Sequence, residues 1–364
     1  MAVHQLLVGT SKGLVVYELT DRQVTAVQVF FTGIPVSMIF VDERNGTWWV
    51  SLAHRHWGEK LHYSTDQGKT WEVADIPSYR GYEYRPGKPA SLRKIWVMQQ
   101  GGTDRLNELW VGTEPGGLFY SDDYGKSFRL NEALWNHPSR LDDQQWFGTG
   151  KDYPFIHSIQ VDPRDSNHIY IGISSAGVFE TTDGGHHWIP RNRGLIAAYL
   201  PNETTDVGHD PHHLLLCRQQ PDVLWQQNHC GIFKSIDGAQ SWINVSGQSG
   251  WPVYGFALAI DDSDPNRAWV VPAESDLSRI PAGLSLQVAY TRDGGTTWHS
   301  VSQGLPERHC FDLVLRQALE RKNNLIAFGT NNGNLYCSFD DGGDWITLSN
   351  NLSPVFVLAC SKKA

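Results

Sequence analysis

Apolar residues along this chain come in short runs, each cut off by glycine, proline, asparagine or aspartate. That pattern predicts short β-strands joined by tight turns. Four runs share one form: "LWVGTEPGGLFY", "IYIGISSAGVFE", "VLWQQNHCGIFK" and "LIAFGTNNGNLYC" each read as two strands around a small turn. Upstream lies another strand, as in "HSIQVDPRD", "HHLLLCRQQPD" and "FALAIDDSDP". Downstream comes an eight-residue box, Ser/Thr-x-Asp-x-Gly-x-x-Trp, found as "STDQGKTW", "SDDYGKSF", "TTDGGHHW", "SIDGAQSW", "TRDGGTTW" and "SFDDGGDW". Phe128 replaces the tryptophan in one copy and Ala239 the glycine in another. The box reads as a turn: Asp and the hydroxyl cap backbone N–H groups, glycine supplies positive φ, and the aromatic packs beneath the next strand.

The boxed aspartates, Asp66, Asp123, Asp183, Asp237, Asp293 and Asp340, lie 47 to 60 residues apart. Each unit therefore reads strand, turn, strand, turn, strand, box, strand, which is a four-stranded propeller blade. Six units are expected over 37–73, 92–130, 156–190, 212–245, 254–300 and 309–347. The C-terminal "SPVFVLACSKK" supplies one inner-type strand and the N-terminal "HQLLVGTSKGLVVYEL" a strand pair, together a seventh blade that closes the ring. The expectation is an all-β, seven-bladed β-propeller forming a single domain over 1–364.

Composition narrows the partners. A net charge of −9 without a basic block argues against nucleic acid or an anionic membrane surface. Five cysteines without CxxC spacing indicate neither a disulfide framework nor a zinc knuckle and fit a reducing compartment. No signal-like leader and no run of 18 apolar residues is present, so a cytoplasmic protein is expected.

The boxes resemble the Asp-box, or bacterial neuraminidase repeat (BNR), of sialidases, sortilin-type receptors and photosystem assembly factors. More closely, the stretch from "HRHWGEKLHYSTDQGKTW" through "HDPHHLLLCRQQPDVLWQQNHCGIFKS" resembles a bacterial sialidase-like propeller group labelled glycosyl hydrolase. The resemblance implies the fold strongly and the reaction weakly. It also places the boxes on the bottom rim, so that the turns between second and third strands and the connections between blades form the opposite, ligand-binding face.

Histidines gather on that top face. His54, His56, His137, His157, His209, His212, His213, His229 and His309 fall in its turns or at the first residues of inner strands. His157, His213 and His309 are expected at inner-strand starts, where side chains converge on the channel mouth. His229 lies in "QQNHCGIF", a turn whose siblings use small or flexible residues, so folding does not require it. His157, His213, His229 and His309 are candidate ligands of a divalent metal ion, and His157, His213 and His229 candidate acids or bases. The competing reading is that each imidazole bonds a loop carbonyl. Cys230 reads as a small buried hydrophobe rather than a nucleophile.

Asp210 and Glu83 are the carboxylates proposed for acid/base work, with Glu114, Glu274 and Asp276 secondary. Arg93, Arg140 and Arg279 could grip a sugar carboxylate or sulfate. Arg140, in "WNHPSRLDDQQWF", is the strongest of these, with pinning of its own loop as the alternative. Tyr82, Trp135, Trp146 and Trp251 are candidate sugar-stacking rings, and His54 and His56 further substrate contacts. True sialidases carry an early Phe-Arg-Ile-Pro motif, an inner-strand arginine triad and a Tyr-Glu nucleophile; here only "SRIP" appears, in a fifth-blade loop. Sialidase activity is therefore not expected. The leading expectation is a carbohydrate-active enzyme, a hydrolase or a histidine- and metal-using lyase, that cleaves a glycosidic bond of an oligosaccharide. The alternative is a scaffold or assembly factor that binds a protein or glycan.

Overall fold

A computed structural model describes residues 4–20, 22–141, 145–148, 151–247 and 251–362. Seven four-stranded antiparallel sheets form the blades of a ring. Their inner strands are Val36–Asp42, Lys94–Gln100, Phe155–Val161, Pro211–Leu216, Gly255–Ile260, Leu319–Lys322 and Val355–Lys362, each against the next and the last against the first. Blades 1 to 6 run outward in chain order. Blade 7 joins the chain ends, with Val355–Lys362 inside, followed by His4–Thr10, Gly13–Thr20 and Gln23–Phe30. The ends thus close the ring as expected, but the N-terminus supplies three strands rather than two. The third, "QVTAVQVF", faces solvent along most of its length, so no apolar run marks it in the sequence.

All six boxes fold alike. In the first, Ser64 Oγ accepts the Gly68 N–H at 2.8 Å and donates to Asp66 Oδ1 at 2.8 Å, while Asp66 accepts the Thr70 N–H and hydroxyl at 2.9 and 2.7 Å. The glycine site is left-handed in each copy; Ala239 adopts it too, at φ 60°. Box tryptophans stitch neighbouring blades together. Indole N–H groups of Trp188, Trp242 and Trp298 donate to Asn131 Oδ1, the Arg191 carbonyl and the Val245 carbonyl of the preceding blade, at 3.1, 2.8 and 2.7 Å.

Near the top of the inner strands the ladder slips. Register shifts fall at Ser37, Trp96, His157 and His212 in blades 1 to 4, at Phe256 and Ala257 in blade 5, and at Phe356 in blade 7. A bulge leaves its residue unpaired and re-aims the side chains beside it. These residues ring the channel mouth.

Blade 6 departs from expectation. Its inner strand begins at Leu319, not near 309. The apolar "LVL" before it is tied to Asn331 and ends in a turn, with the Leu313 N–H on Asn331 Oδ1 at 2.7 Å and the Ala318 N–H on the Leu315 carbonyl at 2.9 Å. That turn swings Arg316 and Gln317 into the channel. Gln317 Nε2 donates to the carbonyls of Trp96 and His157 at 3.3 and 2.9 Å, tying three blades together across the channel. Among the described residues, no helix is long and apolar enough to cross a membrane.

Candidate functional site at the channel mouth

Asp210 lies just ahead of the inner strand of blade 4 and is 1% exposed. Blade 3 fixes it: Ser174 Oγ and the Ser175 N–H donate to Asp210 Oδ1 at 2.8 and 3.2 Å. Its other oxygen faces two imidazoles. His212 Nε2 is 3.4 Å from Asp210 Oδ2, and His229 Nδ1 is 3.6 Å away. The three donor atoms lie within 4.8 Å of one another. On the far side of His229, Nε2 is 3.9 Å from Asp276 Oδ2, so one imidazole stands between two carboxylates.

The backbone sets the tautomer of His212. Its Nδ1 is 2.6 Å from the Gly255 carbonyl, which can only accept, so Nδ1 carries the proton and Nε2 presents a lone pair to Asp210. Burial raises the cost of charge on both partners. It pushes the His212 imidazole down, while for Asp210 it is outweighed by bonding to His212 and His229, which holds the carboxyl well below its ordinary value. The bond between His212 and Asp210 needs a second proton, on Nε2; without it an ionised carboxylate faces a neutral imidazole lone pair. Two acceptors at 3.4 Å repel unless a proton or metal cation sits between them.

Folding of the "NHCG" turn is carried by other residues. Asn228 Oδ1 accepts the Cys230 N–H at 3.0 Å, and Gly231 takes φ 144°, where an added Cβ would meet Ser246 Oγ at 2.8 Å. His229 is thereby free to face Asp210. Burial pushes the Cys230 thiol up, which keeps it protonated.

Aromatic and cationic groups enclose the site. Tyr199 and Tyr254 pack edge-on to His229 with centroids at 5.0 and 5.6 Å, and Phe256 stacks on His212 at 4.6 Å. The Arg316 guanidinium lies 5.1, 5.5 and 5.9 Å from the ring centres of Phe155, Phe256 and Trp96, rings contributed by three other blades. Lys94 Nζ sits 3.6 Å over Trp96, and burial pulls its ammonium down to about 8.

Of the residues singled out in the sequence, Asp210 and His229 meet here and Asp276 joins them. The other metal candidates do not converge. His157 is buried with both ring nitrogens engaged, Nε2 on the Pro211 carbonyl at 2.8 Å and Nδ1 on Ser158 Oγ at 2.9 Å, so it holds two blades together. His213 lines the channel with Gln160 and Gln317 instead of facing Asp210, and burial pulls it down to about 4. His309 is exposed in a loop ten residues before the strand it was expected to start. The bulge at His212 explains the exchange of neighbours: the imidazole aimed at Asp210 is one residue earlier than the regular strand count suggests.

Arg140 is 1% exposed; Nε donates to the Trp135 carbonyl and the guanidinium lies 3.6 Å over the Trp135 ring. It pins its own loop, as the alternative reading had it. Trp135 and Trp146 are core residues, Trp146 with its N–H on Ser139 Oγ at 2.9 Å, so neither offers a face to a sugar. Tyr82 lines a groove between blades 2 and 3 that reaches the box residues Gly184 and Gly185, and its hydroxyl donates to Glu132 at 2.7 Å. Glu83 is exposed on a small hairpin and accepts the Gly87 N–H at 3.1 Å. Arg93 stands over Tyr153 at 5.5 Å, and His54 and His56 line a separate cleft with Ser11 and Ile34. Trp251 lines a cleft of about 630 Å³ that shares Tyr254 with the mouth. Arg279 lies 5.3 Å over Phe256.

Three residues of the site, His212, Tyr254 and Arg316, take roles that their place in the sequence does not announce. His212 carried a signal, as one of four titratable residues in "HDPHH". Arg316 carried none, because a turn inside an apolar run places it.

The BNR/Asp-box repeat signature matches residues 62–73. Over 226 residues the chain is 26% identical to a probable oligoxyloglucan-reducing end-specific xyloglucanase of Neosartorya fischeri, covering 54% of this chain and 26% of that protein. Over 269 residues it is 22% identical to the oligoxyloglucan-reducing end-specific xyloglucanase of Emericella nidulans, covering 66% and 30%. The chain spans less than a third of the length of these curated relatives. Among solved structures, an ancestral GH74 enzyme superposes with a TM-score of 0.57 at 16% identity, covering 100% of this chain and 40% of the other. The chain is an Asp-box β-propeller, similar over part of its length to proteins named as xyloglucanases.

Proposed function

We propose that this propeller is a carbohydrate-active enzyme that cleaves a glycosidic bond of an oligosaccharide laid across the channel mouth, with Asp210, His212 and His229 as its reactive centre. The observation that carries the reading is the pair of facing acceptors, Asp210 Oδ2 and His212 Nε2, held 3.4 Å apart by blades 3 and 5. The similarity to xyloglucanases supports an oligosaccharide as substrate, and the aromatic walls around His229 suit a sugar ring.

One carboxylate oxygen and two imidazole nitrogens, with His212 oriented by a backbone carbonyl, fit a divalent transition ion. Asp210 Oδ2, His212 Nε2 and His229 Nδ1 would hold it. Such an ion polarises a sugar oxygen or lowers the pKa of a bound water. The protein's own groups do the rest. Asp210 stays ionised, and the Gly255 carbonyl orients His212. His229, between Asp210 and Asp276, is placed to move a proton to or from a sugar oxygen at its exposed edge. Tyr199 and Tyr254 restrict water around it.

The test is incubation with xyloglucan oligosaccharides and a panel of neutral and acidic oligosaccharides, read by mass spectrometry, with metal content measured on the same sample. A new reducing end indicates hydrolysis and an unsaturated end elimination. Intact oligosaccharides across the panel, with or without added Mn²⁺, Zn²⁺ or Ca²⁺, would overturn the reading and leave a binding scaffold.

A further inference from the structure

Most buried donors in this protein have acceptors, but two around the mouth do not, and a half-buried ammonium beside them has no ion-pair partner among the described residues. Arg316 Nε is buried without a hydrogen-bond partner, and among the described residues no carboxylate lies within salt-bridge distance of its guanidinium. The Tyr254 hydroxyl is buried and unpartnered beside His212 and His229. The Lys94 ammonium has a ring beneath it and no ion-pair partner among the described residues. The acids on its side of the mouth are engaged elsewhere, Glu59 with the hydroxyls of Ser37 and Ser51 and Glu114 with the Trp96 indole N–H. Asp210 is committed to its serines and imidazoles.

Leaving the Nε–H of a guanidinium buried and unmatched against aromatic rings is costly, whereas turning it toward bulk water would cost little. The chain instead spends a turn and a cross-channel anchor, Gln317, on holding Arg316 there. A guanidinium fork matches a carboxylate through two parallel N–H bonds, and the neighbouring ammonium and phenol add donors around the same point. Neutral sugars offer hydroxyls, which do not need a guanidinium with an unmatched N–H.

We propose, on the reading that the mouth accepts an oligosaccharide, that the sugar it holds is an acid: Arg316 receives a uronate carboxylate, aided by Lys94 and the Tyr254 hydroxyl, beside Asp210, His212 and His229. The unpaired donors are then the recognition element that selects acidic over neutral glycans.

Binding without turnover tests this separately from catalysis. Titration calorimetry is run with glucuronate, galacturonate, glucose, galactose and inorganic sulfate on the full chain, and on Arg316→Gln, Arg316→Lys and Tyr254→Phe. The expected result is that at least one uronate binds at least about tenfold tighter than its neutral counterpart and than sulfate. Arg316→Gln then weakens it about 10- to 100-fold. Arg316→Lys, which keeps the charge but loses the fork, recovers only part of the affinity. Tyr254→Phe, which removes one hydroxyl and little volume, weakens uronate binding several-fold and covers the case in which Arg316 variants fail to fold. Equal affinity for uronate and neutral sugar, or unaltered uronate binding in folded variants, overturns the proposal. Sulfate binding as tightly as a uronate also overturns it, since the site would then be a bare anion site. A protein that binds uronates but cleaves no glycan refutes the enzymatic reading alone, and one that cleaves only neutral glycans refutes this inference alone.

Discussion

Two arginines show how context assigns a role. Arg140 and Arg316 both lie against aromatic rings, but Arg140 donates to the Trp135 and Tyr84 carbonyls, whereas Arg316 leaves Nε unmatched. Arg140→Ala should therefore act on folding: a loss of about 2–4 kcal/mol in denaturant unfolding, from lost packing and two orphaned carbonyls, with ligand affinity of the folded fraction unchanged. A drop in affinity at constant stability would contradict this. The histidines divide in the same way. His157→Ala should cost about 2–3 kcal/mol, because it removes the bond to Pro211 across the blade interface, and should spare metal content. His229→Ala, at an 18% exposed side chain, should leave stability within about 1 kcal/mol and abolish metal binding and turnover. Metal analysis and unfolding curves on the two variants check both statements.

At the scale of the element, the Asp boxes make an acid-sensitive rim. Asp66, Asp123 and Asp293 are held down at about 2, chiefly by the hydroxyls of Thr70, Ser127 and Thr297. A carboxyl depressed from its ordinary 3.8 favours the fold only where it is ionised. Its contribution is present above pH 4 and lost as pH falls through the folded value. Unfolding midpoints in denaturant should therefore hold steady from about pH 7 to 5 and drop between about pH 4 and 2. Thr297→Val should flatten its share of that drop, and a midpoint unchanged down to pH 2 would contradict the account. The boxes were legible in the sequence because the bonds that shape each turn, from its hydroxyl and its Asp, close within four residues. The mouth was legible only in part. Asp210 and His229 could be picked out as titratable residues in loops, but the choice of His212 over His213 depends on a bulge, and the arrival of Arg316 on a turn within an apolar run. Both are tertiary events: the bulge is set by pairing with the Leu224–Asn228 strand, and the turn by the Asn331 side chain. Trp135, Trp146 and Arg140 mislead for a related reason. Aromatics flanking a guanidinium in sequence describe a buried loop clamp as well as a sugar platform.

For the whole molecule, ring closure decides stability. Val355–Lys362 pairs with His4–Thr10 along its length and forms the inner strand of blade 7. Removing residues 355–364 would expose the Leu6, Val8 and Phe328 cluster and leave His4–Thr10 as an open inner edge. The expected outcome is loss of cooperative thermal unfolding, measured by calorimetry, rather than a modest shift in Tm. Closure also ties the site together, since Arg316 of blade 6 reaches rings of blades 2, 3 and 5, and Asp210 is held from blade 3. The most direct test of the central claim is the turnover of a cleaved oligosaccharide by the intact protein, by Asp210→Asn and by Glu83→Gln under identical conditions. Chemistry at the mouth predicts a fall of at least about 10²-fold for Asp210→Asn and full activity for Glu83→Gln. Activity retained in a folded Asp210→Asn protein would place the chemistry elsewhere and contradict the account.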